Sequence, residues 1–170
     1  MQLVKIPEER VKALLGRIED IEKAGDIKIE ATAEEGISIS SEDPIMEWKA
    51  VDVVKAIGRG FEPDTAMRLF SDDYVLRIIS LKDIFKTEKQ RIRVKSRVIG
   101  TKGKTRSTIE EVSGANVRVY GNTVAFIGKP EEVDLAERAV KMILNGSSHS
   151  SVYFFLQKER KKMEDAEQMI

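Results

Sequence analysis

The feature that most constrains this chain is that its order of segments reads twice. "VDVVKAIGRG" (residues 51–60) matches "ERAVKMILNG" (137–146), and "LLG" (14–16) matches "VIG" (98–100). In the second copy, "DDYVLRIISLKDI" (Asp72–Ile84) has the β-branched, apolar character of a strand. "TEKQRIRVKSRVIG" fits two patterns. Arg91, Arg93, Lys95 and Arg97 alternate as on a strand, whereas Lys89, Arg93 and Arg97 stack at helical spacing. "KTRSTIEEVSG" predicts a helix with Ile109 and Val112 on one face and Gly114 at its C-terminal cap. "ANVRVYGNTVAFIGK" predicts a hairpin turning near Gly121-Asn122. "PEEVDLAERAVKMILNG" predicts a helix that begins at Pro130, carries Glu131 and Glu132 in its first turn, and stops at Gly146. A Ser-rich break and a last helix, "SVYFFLQKERKKMEDAEQ", follow.

The first copy repeats the order. "QLVKIP" reads as a strand, "EERVKALLG" as a helix, and "RIEDIEKAG" as a helix stopped by Gly25. "DIKIEATAEEGISIS" is a hairpin turning near Glu34-Glu35-Gly36, and "DPIMEWKAVDVVKAIGRG" a helix from Pro44 to Gly58. "FEPDTAMRLFSDD" reads as a short helical connector. The copies differ at the turn between their first two helices. Gly16 to Gly25 spans nine positions and Gly100 to Gly114 spans fourteen, so the first copy lacks five residues there. The expected architecture is α+β, with two tandem β-α-α-β-β-α units over residues 1–73 and 74–170. The second unit carries the extra C-terminal helix.

The formal net charge is zero, yet charge is segregated. Lys86–Arg106 holds nine Lys or Arg and one acid, Glu88, whereas Arg17–Asp43 holds nine acids and three bases. Such opposed fields suggest a basic binding face in the second unit and an acidic surface in the first, either a protein-docking face or a solvated one. Glu19, Asp20, Glu22, Glu34 and Glu35 are the candidates for that acidic surface. The chain has no cysteine and one histidine, His149, which removes thiol nucleophiles and His-pair or Cys-rich zinc sites. No apolar run spans a membrane, and "MQLVKIPEER" has no signal-peptide core, so a cytoplasmic protein is expected.

The basic run surrounds "RVIGTKGKTR" (Arg97–Arg106), whose Gly-Lys-Thr ending imitates a nucleotide-binding P-loop. A P-loop needs glycine five positions before Gly103, and Val98 stands there. Asp83 is then only a weak candidate for a magnesium ligand. The alternative is a GxxG turn, in which Gly100 and Gly103 let the backbone approach phosphates and the following helix adds its positive end. Thr101, Lys102, Lys104 and Arg106 lie in or beside this turn, and Arg93 and Arg97 approach from the preceding element. Ile99, Ile109, Val117 and Val119, with Val98, are the candidate floor of a groove for unpaired bases. A turn of this kind between two helices, followed by β-β-α, is how some modules hold about four single-stranded nucleotides.

On "RVIGTKGKTRSTIEEVSGANVRVYGNTVAFIGKPEEVDLAERAVKMILNG" and "SSHSSVYFFLQKERKKM", the second half resembles a type I KH domain over about Tyr74 to Gly146. The whole chain resembles the archaeal members of the partner-of-Nob family, two-KH proteins of small-ribosomal-subunit maturation. That resemblance implies a degenerate first KH domain and an RNA-binding second one. It also implies binding near the 3′ end of small-subunit rRNA, within the pre-small-subunit particle, and association with the PIN-domain endonuclease that trims it. Neither metal nor other cofactor is expected, and no residue set proposes a reaction. The rivals are a KH regulator of mRNA or translation and, from another class, an RNA-processing or nucleotide-hydrolysing enzyme. Elsewhere, His149 is expected to cap or pack. Trp48 is expected in the core or half-buried beside Met46, Val51 and Val54, and Tyr120 in a surface cross-strand pair. Tyr153, Phe154 and Phe155 are expected to dock the last helix, and the basic run Lys158–Lys162 to extend the RNA track or solubilise that helix.

Overall fold

The computed structural model describes residues 1–32, 34 and 36–169, so Glu35 and the centre of the first hairpin turn lie outside the described residues. The chain divides into two compact units, Met1–Leu76 and Arg77–Ile170. The first has strand β1 (Gln2–Val4), helices α1 (Glu8–Leu15) and α2 (Ile18–Gly25), strands β2 (Lys28–Thr32) and β3 (Gly36–Ser40), and helix α3 (Pro44–Gly58). A short helix α4 (Pro63–Met67) and one 3-10 turn lead to strand β4 (Val75–Ser80). Then come α5 (Glu88–Ile99), α6 (Lys104–Ser113), β5 (Asn116–Tyr120), β6 (Thr123–Gly128), α7 (Pro130–Leu144) and α8 (His149–Gln168). The sheets have equivalent orders, β1-β3-β2 and β4-β6-β5, with the last strand of each hairpin in the middle. The fold is α+β and KH-like.

The ambiguous basic segment is a helix because its start is over-determined. Thr87 and Gln90 form a reciprocal capping box, in which the Thr87 hydroxyl accepts the Gln90 N–H at 3.2 Å and the Gln90 amide oxygen accepts the Thr87 N–H at 3.3 Å. Asp43 caps α3 through Ile45 N–H at 2.9 Å, and Pro44 and Pro130 take the first helical position of α3 and α7. Helix α3 in the first unit and helix α7 in the second cover one face of the sheet. Ile37, Ile39, Val53, Val54 and Ile57 are buried in the first unit, and Val117, Phe126, Ile127, Val140 and Ile143 in the second.

Two glycines expected to end helices are the last residues of α2 and α3, and each also makes room for a distant side chain. Gly25 is the last residue of α2, and Asp26 supplies the left-handed cap at φ 50°. A Cβ on Gly25 would lie 2.5 Å from the Phe70 ring, so that glycine makes room for an aromatic. Gly58 likewise leaves space for Ile6, whose Cγ2 would be 2.6 Å from an added Cβ. Trp48 is 66% exposed rather than buried. The buried stripe of α3 runs through Glu47, Ala50, Val51, Val54 and Ile57, and Trp48 stands about 100° around the helix from Glu47. The last helix docks through Val152 and Leu156, both fully buried. Phe154 faces outward, Phe155 lies beneath the Arg138 guanidinium at 4.8 Å, and Tyr153 points inward to Thr105. Tyr120 is half-buried, and its carbonyl accepts the Thr123 hydroxyl across the hairpin. Among the described residues, no helix is long and apolar enough to cross a membrane.

Candidate nucleic-acid interface

The turn between α5 and α6 requires glycine by its backbone. Gly100 has φ 75° and ψ 174°, a region that is essentially closed to any residue with a Cβ. Its Cβ would also sit 2.2 Å from Thr105 Oγ1 and 2.8 Å from the Thr105 amide nitrogen. Gly103 is left-handed at φ 75°, ψ 13°, with nothing within 4 Å of an added Cβ. Between them Lys102 is also left-handed, at φ 55°. Gly100 N–H is held by the Ser96 carbonyl at 2.8 Å, and Gly103 N–H by the Gly100 carbonyl at 3.2 Å. Thus Gly100 seats the turn against α6, while Gly103 leaves open space in front of it.

The turn delivers the chain into a helix N-terminus with no side-chain cap and no acid in its first turn. A helix start carries roughly half a positive charge, so this end favours an anion. Thr101, Lys102 and Lys104 are exposed around it, and Arg93 is exposed on α5. The side chains of Lys102, Lys104 and Arg93 make no hydrogen bond or ion pair among the described residues. Ile99, 36% exposed, and half-buried Val119 offer apolar surface. Ile109, Val98 and Val117 are fully buried, so they support this surface from beneath rather than line it.

Two of the expected phosphate-binding arginines are engaged elsewhere. Arg97 donates to the Ile143 carbonyl at 3.0 Å and to the Ser147 carbonyl, tying α5 to the end of α7. Arg106 pairs with Glu110 at 2.6 Å and donates to the Val117 carbonyl. Glu110 also accepts the Val117 N–H at 3.0 Å and pairs with Arg118 at 3.1 Å, which joins α6 to β5. These guanidiniums orient the elements around the turn. One of these pairs has a sequence cue, since Glu110 follows Arg106 by four residues.

Sequence reasoning missed the support behind the turn. Thr105 is buried, and its hydroxyl shares a hydrogen bond of 3.2 Å with that of Tyr153 on α8. His149 Nε2 lies 2.9 Å from the Arg97 carbonyl in the last turn of α5, and its ring stacks on Tyr153. His149 is therefore a capping and packing residue. Asp83 is exposed in the 3-10 turn after β4, and no group of His, Asp or Glu that could hold a metal occurs among the described residues. In the acidic segment, Asp20 pairs with Arg17 and Glu22 accepts the Ile29 N–H.

Residues 75–161 match the eukaryotic type KH-domain (KH-domain type I), in its form as the second KH domain of PNO1. A KH domain-containing protein of Methanocaldococcus jannaschii is 44% identical over 98% of this chain and 77% of its own length. The chain belongs to the Pno1/Dim2 family of KH-domain proteins. A member of the Pno1/Dim2 family from Aspergillus fumigatus, the pre-rRNA-processing protein pno1, is 30% identical over 69% of this chain. That match spans 48% of the fungal protein. Dim2p from Pyrococcus horikoshii is 44% identical, with a TM-score of 0.85 over 92% of this chain and 98% of its own. The same archaeal protein was also solved in a complex with a/eIF2alpha and rRNA. In that form it is 43% identical, with a TM-score of 0.86 over 95% of this chain and 94% of its own.

Proposed function

We propose that this protein binds single-stranded RNA through Gly100–Gly103 and acts in small-ribosomal-subunit assembly and rRNA maturation. The observation that carries this reading is the backbone of the turn. Two glycines and a left-handed lysine expose main chain and positive charge at an uncapped helix start. A phosphate meets the turn at Gly103, where no side chain intervenes, and Lys102 and Lys104 neutralise it. Arg93 and Thr101 flank the strand, bases lie toward Ile99 and Val119, and Arg97, Arg106, Ile109 and Val117 hold the geometry. The rRNA complex of the Pyrococcus relative and the pre-rRNA-processing role of the fungal one support an rRNA ligand.

In this reading residues 74–170 form the RNA-binding KH domain. Residues 1–73 form a degenerate KH-like domain that acts as scaffold and protein interface, its acidic surface meeting a protein partner. The RNA is the 3′ region of small-subunit rRNA in the cytoplasmic pre-small-subunit particle, where the PIN-domain endonuclease trims it. The protein binds and presents; it does not turn over a substrate. The test is affinity for a single-stranded small-subunit rRNA 3′-end fragment, native protein against Thr101→Asp/Lys102→Asp. Removing one cation and adding two anions at the turn is expected to cost roughly a hundredfold at moderate salt. Equal affinity in the double variant overturns the assignment, and equal affinity for unrelated single strands replaces rRNA with a general RNA target.

A further inference from the structure

We propose that the outer face of α8 is a second RNA contact, with Phe154 stacking on a base and Lys158 and Lys161 tracking the backbone beyond the glycine turn. This rests on the reading of Gly100–Gly103 as an RNA site. The first turns of α8 are fixed to both sides of that turn. His149 holds the Arg97 carbonyl on the α5 side, and Tyr153 holds the Thr105 hydroxyl on the α6 side. A strand leaving the turn therefore meets α8 next. Phe154 follows Tyr153 directly and is 72% exposed.

The face around Phe154 is what a nucleic acid needs and a protein core does not. Its helical neighbours at three, four and seven residues are Ser150, Ser151, Gln157, Lys158 and Lys161, all exposed, with no second apolar side chain among them. A docking helix would require an apolar stripe there. A single aromatic ring beside serines and lysines suits one stacked base and its phosphates. Lys158 and Lys161 make no hydrogen bond or ion pair among the described residues. The adjacent Glu159 is turned toward Arg138 and Lys162 and does not neutralise them. Tyr153 to Lys161 covers about 12 Å along the helix. Past Lys162 the surface turns acidic at Glu164, Asp165 and Glu167, which ends the track.

The test compares full-length variants by binding to two single-stranded rRNA 3′-end oligonucleotides, one of about four nucleotides and one of about ten. The native protein is expected to bind the longer oligonucleotide more tightly. Phe154→Ala is expected to weaken the longer one roughly tenfold and to leave the shorter one unchanged. Lys158→Ala/Lys161→Ala is expected to reduce the salt dependence of the longer complex by about one to two ions. Phe154→Trp in a Trp48→Phe background keeps the affinity, and its emission is quenched by the longer oligonucleotide alone. Native affinity of Phe154→Ala for the longer RNA overturns this proposal, and it does so without touching the glycine-turn site. That site fails separately, if Thr101→Asp/Lys102→Asp still binds both lengths.

Discussion

At the junction of its first two helices, the N-terminal unit turns on Gly16 in an ordinary right-handed conformation, φ −64°, ψ −19°. Helix α2 then begins with Glu19 and Asp20 in its first turn, and Arg17 pairs with Asp20 and Asp64. The C-terminal unit uses three positive-φ residues within four positions, Gly100, Lys102 and Gly103, and its α6 starts with lysine and no acid. The same fold thus has one closed and one open helix start. In the first unit the positive end of the helix is complemented by the protein's own carboxylates. In the second no carboxylate of its own first turn complements it. The five-residue difference falls in this turn, while the sheets and the helices α3 and α7 stay alike.

The comparison breaks most visibly at its glycines. Gly100→Ala is expected to destabilise the protein by about 2–4 kcal/mol, through the strained φ/ψ and the overlap with Thr105. Gly16→Ala is expected to change stability by no more than about 1 kcal/mol, with stabilisation the expected sign. Urea midpoints of the two variants check both, and equal losses would erase the distinction. The next contrast is a similarity. Arg10 donates to the carbonyls of Ile57 and Phe61, and Arg97 to those of Ile143 and Ser147, which are the equivalent positions of the repeat. Arg10→Ala and Arg97→Ala should each cost about 2 kcal/mol. Arg97→Ala should also weaken RNA binding indirectly, and Arg10→Ala should not.

A smaller effect comes from the closed helix start. Glu19→Gln/Asp20→Asn should destabilise by about 0.3–1 kcal/mol at low salt, an effect that fades as salt rises. The smallest concerns Asp64, whose carboxyl is held below the usual range by its hydrogen bond to the Arg17 guanidinium. A depressed folded-state pKa contributes stability above the unfolded value and loses it as pH falls through the folded one. Asp64→Asn should therefore lower the thermal midpoint slightly at neutral pH and above and converge with the native protein at the acid end, flattening the acid limb, as read by thermal midpoints between about pH 2 and pH 8.

What the sequence made legible was local. Pro44 and Pro130 marked helix starts, Gly114 and Gly146 marked ends, and the Gly121-Asn122 hairpin fell in place. Gly100 and Gly103 were legible because their spacing encodes a backbone conformation. The omissions and misreadings were all of tertiary origin. Gly25 and Gly58 end their helices as read, but the sequence does not show that their missing Cβ atoms also make room for Phe70 and Ile6, far along the chain. Trp48 and Phe154 sit on helices whose period is clear, yet period alone does not say which stripe faces inward. Arg97 lies in a basic run, and only the fold reveals that carbonyls 46 and 50 residues away have claimed it.

Those separations have a further consequence for how the protein is made. Arg10 reaches partners 47 and 51 residues downstream, so the first unit acquires its closing contacts once Phe61 has left the ribosome. The second unit closes only when Ser147 follows, and its glycine turn waits longer. The turn's supports, His149 on the Arg97 carbonyl and Tyr153 on Thr105, lie 52 and 48 residues downstream of the groups they hold. A nascent chain released or stalled before that point holds a folded first half and an unbraced turn. The glycine turn is therefore braced only after Tyr153 has been made, well after its own residues.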